Sequence, residues 1–165
     1  MKKILQVSAI LVATIFYAQK ISDYQYIYVP ETFTDKKANK YGLDDLLIKK
    51  LKQNKYTIIK ESKLNWPAEL ANNPCQVLTV EVSDTSNMFK NKVKIDFKDC
   101  ENKSLLSLDG TTYLKEFETG MQDALANAAK KIPTSMPVEM SFVTRKEEPM
   151  QVISKVESVK QEVAA

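Results

Sequence analysis

Two cysteines, Cys75 and Cys100, bracket the most strongly patterned stretch of this chain. Leu78, Val80 and Val82 alternate with Thr79 and Glu81; Val93, Ile95 and Phe97 alternate with Lys94, Asp96 and Lys98. A period of two in β-branched and aromatic residues marks two half-buried strands, here spanning Gln76–Ser83 and Lys92–Lys98. Pairing Val82 with Val93, Val80 with Ile95 and Leu78 with Phe97 puts the apolar side chains on one face. The same register sets Glu81 against Lys94, a favourable cross-strand charge pair, and Cys75 against Cys100. A competing register has a tight turn at Asp84-Thr85-Ser86-Asn87 and a second strand from Met88; it also keeps one face apolar but separates the cysteines. The first is the expected register. A Cys75–Cys100 bridge would close a loop of about 26 residues and contribute roughly 3–4 kcal/mol, against a total stability of roughly 5–15 kcal/mol. There is no histidine, so two distant cysteines make a poor metal signature, and a structural disulfide in an exported protein is the expectation.

The start of the chain fits export. Met1-Lys2-Lys3 is a short basic region and Ile4–Tyr17 is mainly apolar and uncharged. With Ala18 before Gln19 this reads as a secretory signal peptide, residues 1–18, too short for a comfortable membrane span. A periplasmic or secreted location follows, with no stable membrane insertion after cleavage near Ala18/Gln19. Phe16 departs from the small residue usual three positions before a cut. Losing Lys2 and Lys3 with the leader leaves the basic and acidic side chains almost balanced. The sequence pI of 8.7 therefore does not point to nucleic acid, and no basic stripe with interleaved aromatics occurs.

The rest reads in order as a single α+β domain over residues 19–132. Tyr24–Val29 is a strand whose Tyr24, Tyr26 and Tyr28 share one face, a candidate ligand surface or a packed edge ladder. Leu43, Leu46, Leu47 and Leu51 share one helical face, with Asp44 and Asp45 in the first turn and lysines later, as the helix dipole favours. Tyr56–Lys60 is the next strand, and strand–helix–strand in this space implies a parallel pair. Pro67 opens a short helix beside Trp66, the only tryptophan; Trp66 is a candidate ligand platform or a lid over the core. Met88 and Phe89 stand among polar residues at the hairpin tip. In a long loop they are a candidate partner contact; in a tight turn Phe89 joins the inner face. Ser104–Leu108 is a further strand that Asp109-Gly110 should break. Leu114, Phe117, Met121, Leu125, Ala128 and Ile132 form the core stripe of a long helix, with Gly120 a mild weakness and Pro133 its stop. Residues 133–165 read as a flexible charged tail. Within it Val152, Val156, Val159 and Val163 make a narrow apolar stripe, a second candidate docking element if residues 151–163 become helical.

The expected architecture is an antiparallel sheet around the central hairpin, with two amphipathic helices on one face, in the order β-α-β-β-β-α. Tyr24–Val29, Asn73-Pro74-Cys75 and Phe97-Lys98-Asp99-Cys100, together with the exported start, resemble small exported proteins of Bacteroidota over roughly residues 1–132. That resemblance implies an envelope or secreted location and no particular activity. The element order also loosely resembles small α+β domains of envelope assembly proteins, an analogy of fold that carries no function.

Without histidine, Ser-His and Cys-His nucleophiles, histidine metal ligands and the commonest general base are missing. No Ser-x-x-Lys pair occurs, and three dispersed glycines cannot make a phosphate-cradling loop. The leading expectation is a non-enzymatic binding or accessory module of the envelope with a protein partner and no cofactor. Alternatives are a periplasmic binder of a glycan or metabolite, using Trp66 and the tyrosine face, and a small enzyme built on a spatial carboxylate pair.

Overall fold

The computed structural model describes residues 19–138. The leader and the valine-striped segment at 151–163 lie outside these residues. Five strands and three helices follow one another as β1 (Tyr26–Tyr28), α1 (Leu43–Gln53), β2 (Thr57–Ile59), α2 (Ala68–Asn72), β3 (Val77–Asp84), β4 (Asn91–Lys98), β5 (Ser104–Thr112) and α3 (Phe117–Ala129). The expected order β-α-β-β-β-α is thus one strand and one short helix too short. The sheet order is β2-β1-β3-β4-β5. β1 runs parallel to both β2 and β3, whereas β3, β4 and β5 are antiparallel. The sheet is therefore mixed, not antiparallel throughout. The reason lies in two crossovers. The first carries α1 from β1 to β2, and the second carries α2 from β2 across to β3, so β1 is enclosed between two strands running its own way.

The central hairpin forms one face as its alternation demands, but in another register. Val80 pairs with Phe97, Val82 with Ile95 and Asp84 with Val93, a shift of two residues from the expected pairing. A two-residue shift returns every side chain to its original face, so apolar patterning does not distinguish the two arrangements. The turn does. Asn87 N–H donates to the Lys90 carbonyl at 3.1 Å, and the Asn87 side-chain oxygen accepts from both Phe89 N–H and Lys90 N–H at 3.0 Å. This side-chain-capped turn places Met88 and Phe89 at its apex. In this register Glu81 opposes Asp96 rather than Lys94. The like charges are satisfied separately: Glu81 accepts from Thr34 N–H and Oγ at 3.3 Å, and Asp96 accepts from Ser104 Oγ.

The disulfide survives the change. Cys75 and Cys100 are bonded, with Cα atoms 4.9 Å apart. Continuing the β3–β4 ladder would carry Cys75 past Cys100. Instead Pro74–Gln76 forms a 3₁₀ turn, which draws Cys75 back to its partner.

The helices α1 and α3 share the inner face with Ile27, Val29, Leu78, Val80, Val82, Val93, Ile95, Phe97 and Leu108, as expected. Burying each such side chain fully is worth about 1.5–3 kcal/mol. β5 runs through Asp109-Gly110 to Thr112 instead of breaking there. A side chain at Gly110 would overlap the backbone of Ala124 and Ala128, so this glycine lets α3 lie directly on the sheet. A smaller cluster covers the opposite face near the start of β3: Ile59, Trp66, Leu70 and Val77, with Tyr26 and Tyr28 against them.

The first residues of the expected tail, 133–138, stay on the domain, and the rest of it lies outside the described residues. Ser135 is buried, its Oγ donates to the Tyr24 carbonyl at 2.7 Å, and Met136 N–H donates to the Ser22 carbonyl at 2.8 Å. Gln19 and Val138 are thereby held near Ser22–Tyr24, beside the start of β1. We call this end of the sheet the base and the opposite end, at the β3–β4 turn and the β5–α3 connection, the tip.

Candidate protein-docking surface

The tip gathers exposed apolar side chains. Met88 is 95% and Phe89 81% exposed, so Phe89 does not join the inner face. Tyr113, Leu114 and Phe117 are also exposed. Of the eight large hydrophobic residues exposed among the described residues, these five lie at this one end; Leu64, Met136 and Val138 lie elsewhere.

Two loops build the surface, and specific contacts lock them together. Asn91 begins β4 and is itself buried. Its Nδ2 donates to the Leu114 carbonyl at 2.6 Å and to the Glu116 carbonyl at 3.4 Å. Lys90 Nζ stands over the Tyr113 ring, 4.7 Å from its centroid. As a hydrogen-bond donor and then as a charge, it holds the Tyr113 phenol below its ordinary pKa. Ser86 Oγ contacts Met121 Sδ at 3.6 Å and accepts from Lys92 N–H at 2.9 Å. Three aromatics, a methionine and a leucine at these exposures present on the order of 600 Å² of side-chain surface. That is the upper end of the largest patch on a typical monomer, which is often functional.

Leu114 and Phe117 were expected in the core stripe of the last helix. They lie outside it because α3 begins only at Phe117, and its buried stripe starts one turn later, at Gly120 and Met121. Gly120 is no weakness either, since a β-carbon there would strike the Asn91 carboxamide.

The other sequence candidates are placed as follows. Tyr26 and Tyr28 share a face, and Tyr28 meets Trp66 edge to face with ring centroids 5.9 Å apart. Trp66 is buried and its Nε1 donates to the Glu61 carbonyl at 2.9 Å, so it closes the small cluster as a lid. Tyr24 does not join this face. The chain bends at Gln25 before β1, and Tyr24 turns into the main core. Its hydroxyl donates to Gln19 Oε1 at 2.8 Å. Burial, then the Asp99 and Asp23 carboxylates, push its pKa up to about 12. Cys75 and Cys100 are bridged. Val152, Val156, Val159 and Val163 lie outside the described residues. Among the described residues, no three His, Cys, Asp or Glu side chains converge as metal ligands, and no helix is long and apolar enough to cross a membrane.

A shallow cleft of about 340 Å³ lies on the outer sheet face, lined by Asp35, Glu81, Ser83, Lys94, Asp96 and Lys98 among others. Its charges alternate in sign, and it has no aromatic platform.

No family model and no curated protein matches the chain. Among solved structures it is similar to PelC dodecamers from Paraburkholderia phytofirmans in two crystal forms, one of them a leucine-to-methionine variant. The TM-scores are 0.45 and 0.43. Each is 12% identical to this chain, and the alignments cover 72% of this chain and 94% of PelC.

Proposed function

We propose that this chain is an exported, non-enzymatic binding module of the cell envelope that docks a protein partner through its tip. The observation that carries the reading is the clustering of Met88, Phe89, Tyr113, Leu114 and Phe117 at one end of the sheet. These side chains stay in water although the fold has a well-filled core, which opposes stability and solubility unless another surface covers them. The tip is held rigid by the Asn91 and Lys90 contacts, so docking would cost little ordering entropy. Gln19 and Val138, at the limits of the described residues, sit at the base, and the described residues leave the five side chains exposed. The Cys75–Cys100 bridge is compatible with an extracytoplasmic location, and the basic-then-apolar start supports export by a cleaved leader. The Trp66 and tyrosine arrangement supports packing more than ligand capture, because the indole N–H is already satisfied within the chain.

The test is site-specific photo-crosslinking in cells that express the full chain, with the photoreactive residue at position 89 or 117, and at exposed Leu64 as the control. The reading expects protein adducts from 89 and 117 and none from 64. Equal yields at all three positions, or lipid adducts alone from the tip, would overturn it. Intact mass of the exported protein is expected to show a start at Gln19.

A further inference from the structure

We infer that the partner of the tip is a second copy of this chain, packed tip to tip about a two-fold axis. The inference rests on the docking reading above and names its occupant. Three observations carry it.

The first is area. The tip offers on the order of 600 Å² of apolar side-chain surface, and a standard stable interface buries roughly 800 Å² per partner. The five apolar residues alone account for most of that area, and the polar residues around them add to it.

The second is charge. Both signs surround the patch: Lys90 and Lys115 with Glu116 and Glu118, the last three exposed, and the half-buried Asp84 and Lys92 on the hairpin strands behind them. A strongly acidic or basic partner finds no net complement there. A two-fold copy does, because it sets the lysines of one rim against the glutamates of the other. Isologous packing requires this kind of self-complementary patch.

The third is the closure of the alternative route. An open sheet can also self-associate edge to edge. β2 offers only three residues. On β5, the Asp109 carbonyl accepts from Lys131 Nζ at 2.9 Å and the Thr111 carbonyl from Asn127 Nδ2 at 3.1 Å. Side chains of α3 and of the turn that follows it thus occupy edge carbonyls that an added strand would need, while nothing in the described residues covers the tip.

Sedimentation velocity on residues 19–165 with the disulfide formed tests this, from micromolar to several hundred micromolar protein. Wild type is expected to shift from monomer to dimer and no further. Phe89→Glu and Phe117→Glu alter exposed side chains, so the fold should persist, checked by Trp66 emission. Each should weaken dimerisation at least about tenfold, whereas Leu64→Glu should leave it unchanged. Lys115→Glu and Glu118→Lys should each weaken it, and an equimolar mixture should restore it. A monomer throughout, or a dimer indifferent to Phe89→Glu and Phe117→Glu, overturns the inference. In that event adducts from position 89 to a different protein would keep the docking reading standing. Flotation of wild type with lipid vesicles, abolished by Phe89→Glu, would remove both.

Discussion

The Asn91 carboxamide occupies the space that a side chain on Gly120 would fill. From there it donates to the carbonyls of Leu114 and Glu116, tying the first residue of β4 to the entry of α3. Gly120→Ala is expected to destabilise the domain by about 1–3 kcal/mol through overpacking. Asn91→Ala should cost a similar amount, about 1–3 kcal/mol, by leaving the Leu114 carbonyl without its partner. Urea denaturation checks both. The pair should be strongly non-additive, since both substitutions act on one contact.

The Cys75–Cys100 bridge joins the turn before β3 to the turn after β4. Cys75→Ala with Cys100→Ala is expected to cost roughly 3–4 kcal/mol. The urea midpoint of wild type should fall by a similar margin in reductant, and the double variant should not respond to reductant. A wild-type midpoint unmoved by reductant would show that the bridge contributes nothing.

Two buried tyrosines are expected to weaken the fold in alkali. Burial and nearby carboxylates push the Tyr24 pKa up to about 12, and burial with Asp23 does the same to Tyr56, whose hydroxyl donates to the Ile21 carbonyl at 3.4 Å. A raised pKa means that the folded state holds the proton more tightly than the unfolded state. Their contribution is therefore complete below the ordinary tyrosine value near 10 and is lost as pH rises from there through about 12. Stability measured from pH 9 to 12 should fall across that window. Tyr24→Phe and Tyr56→Phe should each flatten the fall while lowering stability at neutral pH, because each removes a hydroxyl hydrogen bond.

Trp66 closes the small cluster over Tyr28 and Leu70. Trp66→Ala should cost roughly 3 kcal/mol, and wild-type emission should be that of a buried indole, protected from acrylamide. Solvent-like emission with unchanged stability would return Trp66 to the role of a ligand platform.

Much of this structure was legible from local pattern. The alternation in β3 and β4 identified their buried face, because a strand places successive side chains on opposite sides. Leu43, Leu47 and Leu51 marked the buried face of α1, and two cysteines flanking the hairpin of a chain with an exported start marked the disulfide, although the register first used to pair them is not the one adopted. Met88 and Phe89 could be named as candidate contacts since they interrupt a polar turn. The pairing register was not decided at that level. Moving β4 by two residues leaves every face unchanged, and the choice fell to the Asn87 turn. Nor could pattern alone place β1 between two parallel neighbours, or separate Tyr24 from Tyr26 and Tyr28 by a bend at Gln25.

The tip shows the same division most clearly. Its hairpin half was written in the sequence, while Leu114 and Phe117 carried helical spacing that fitted a core stripe equally well. Apolar periodicity says which side of a helix faces inward; it does not say where the sheet beneath that helix ends. Only the packed structure decided that α3 enters beyond the last rows of β4 and β5. Long-range pairing sets the length of the sheet, and that length left these two side chains in water beside Met88 and Phe89.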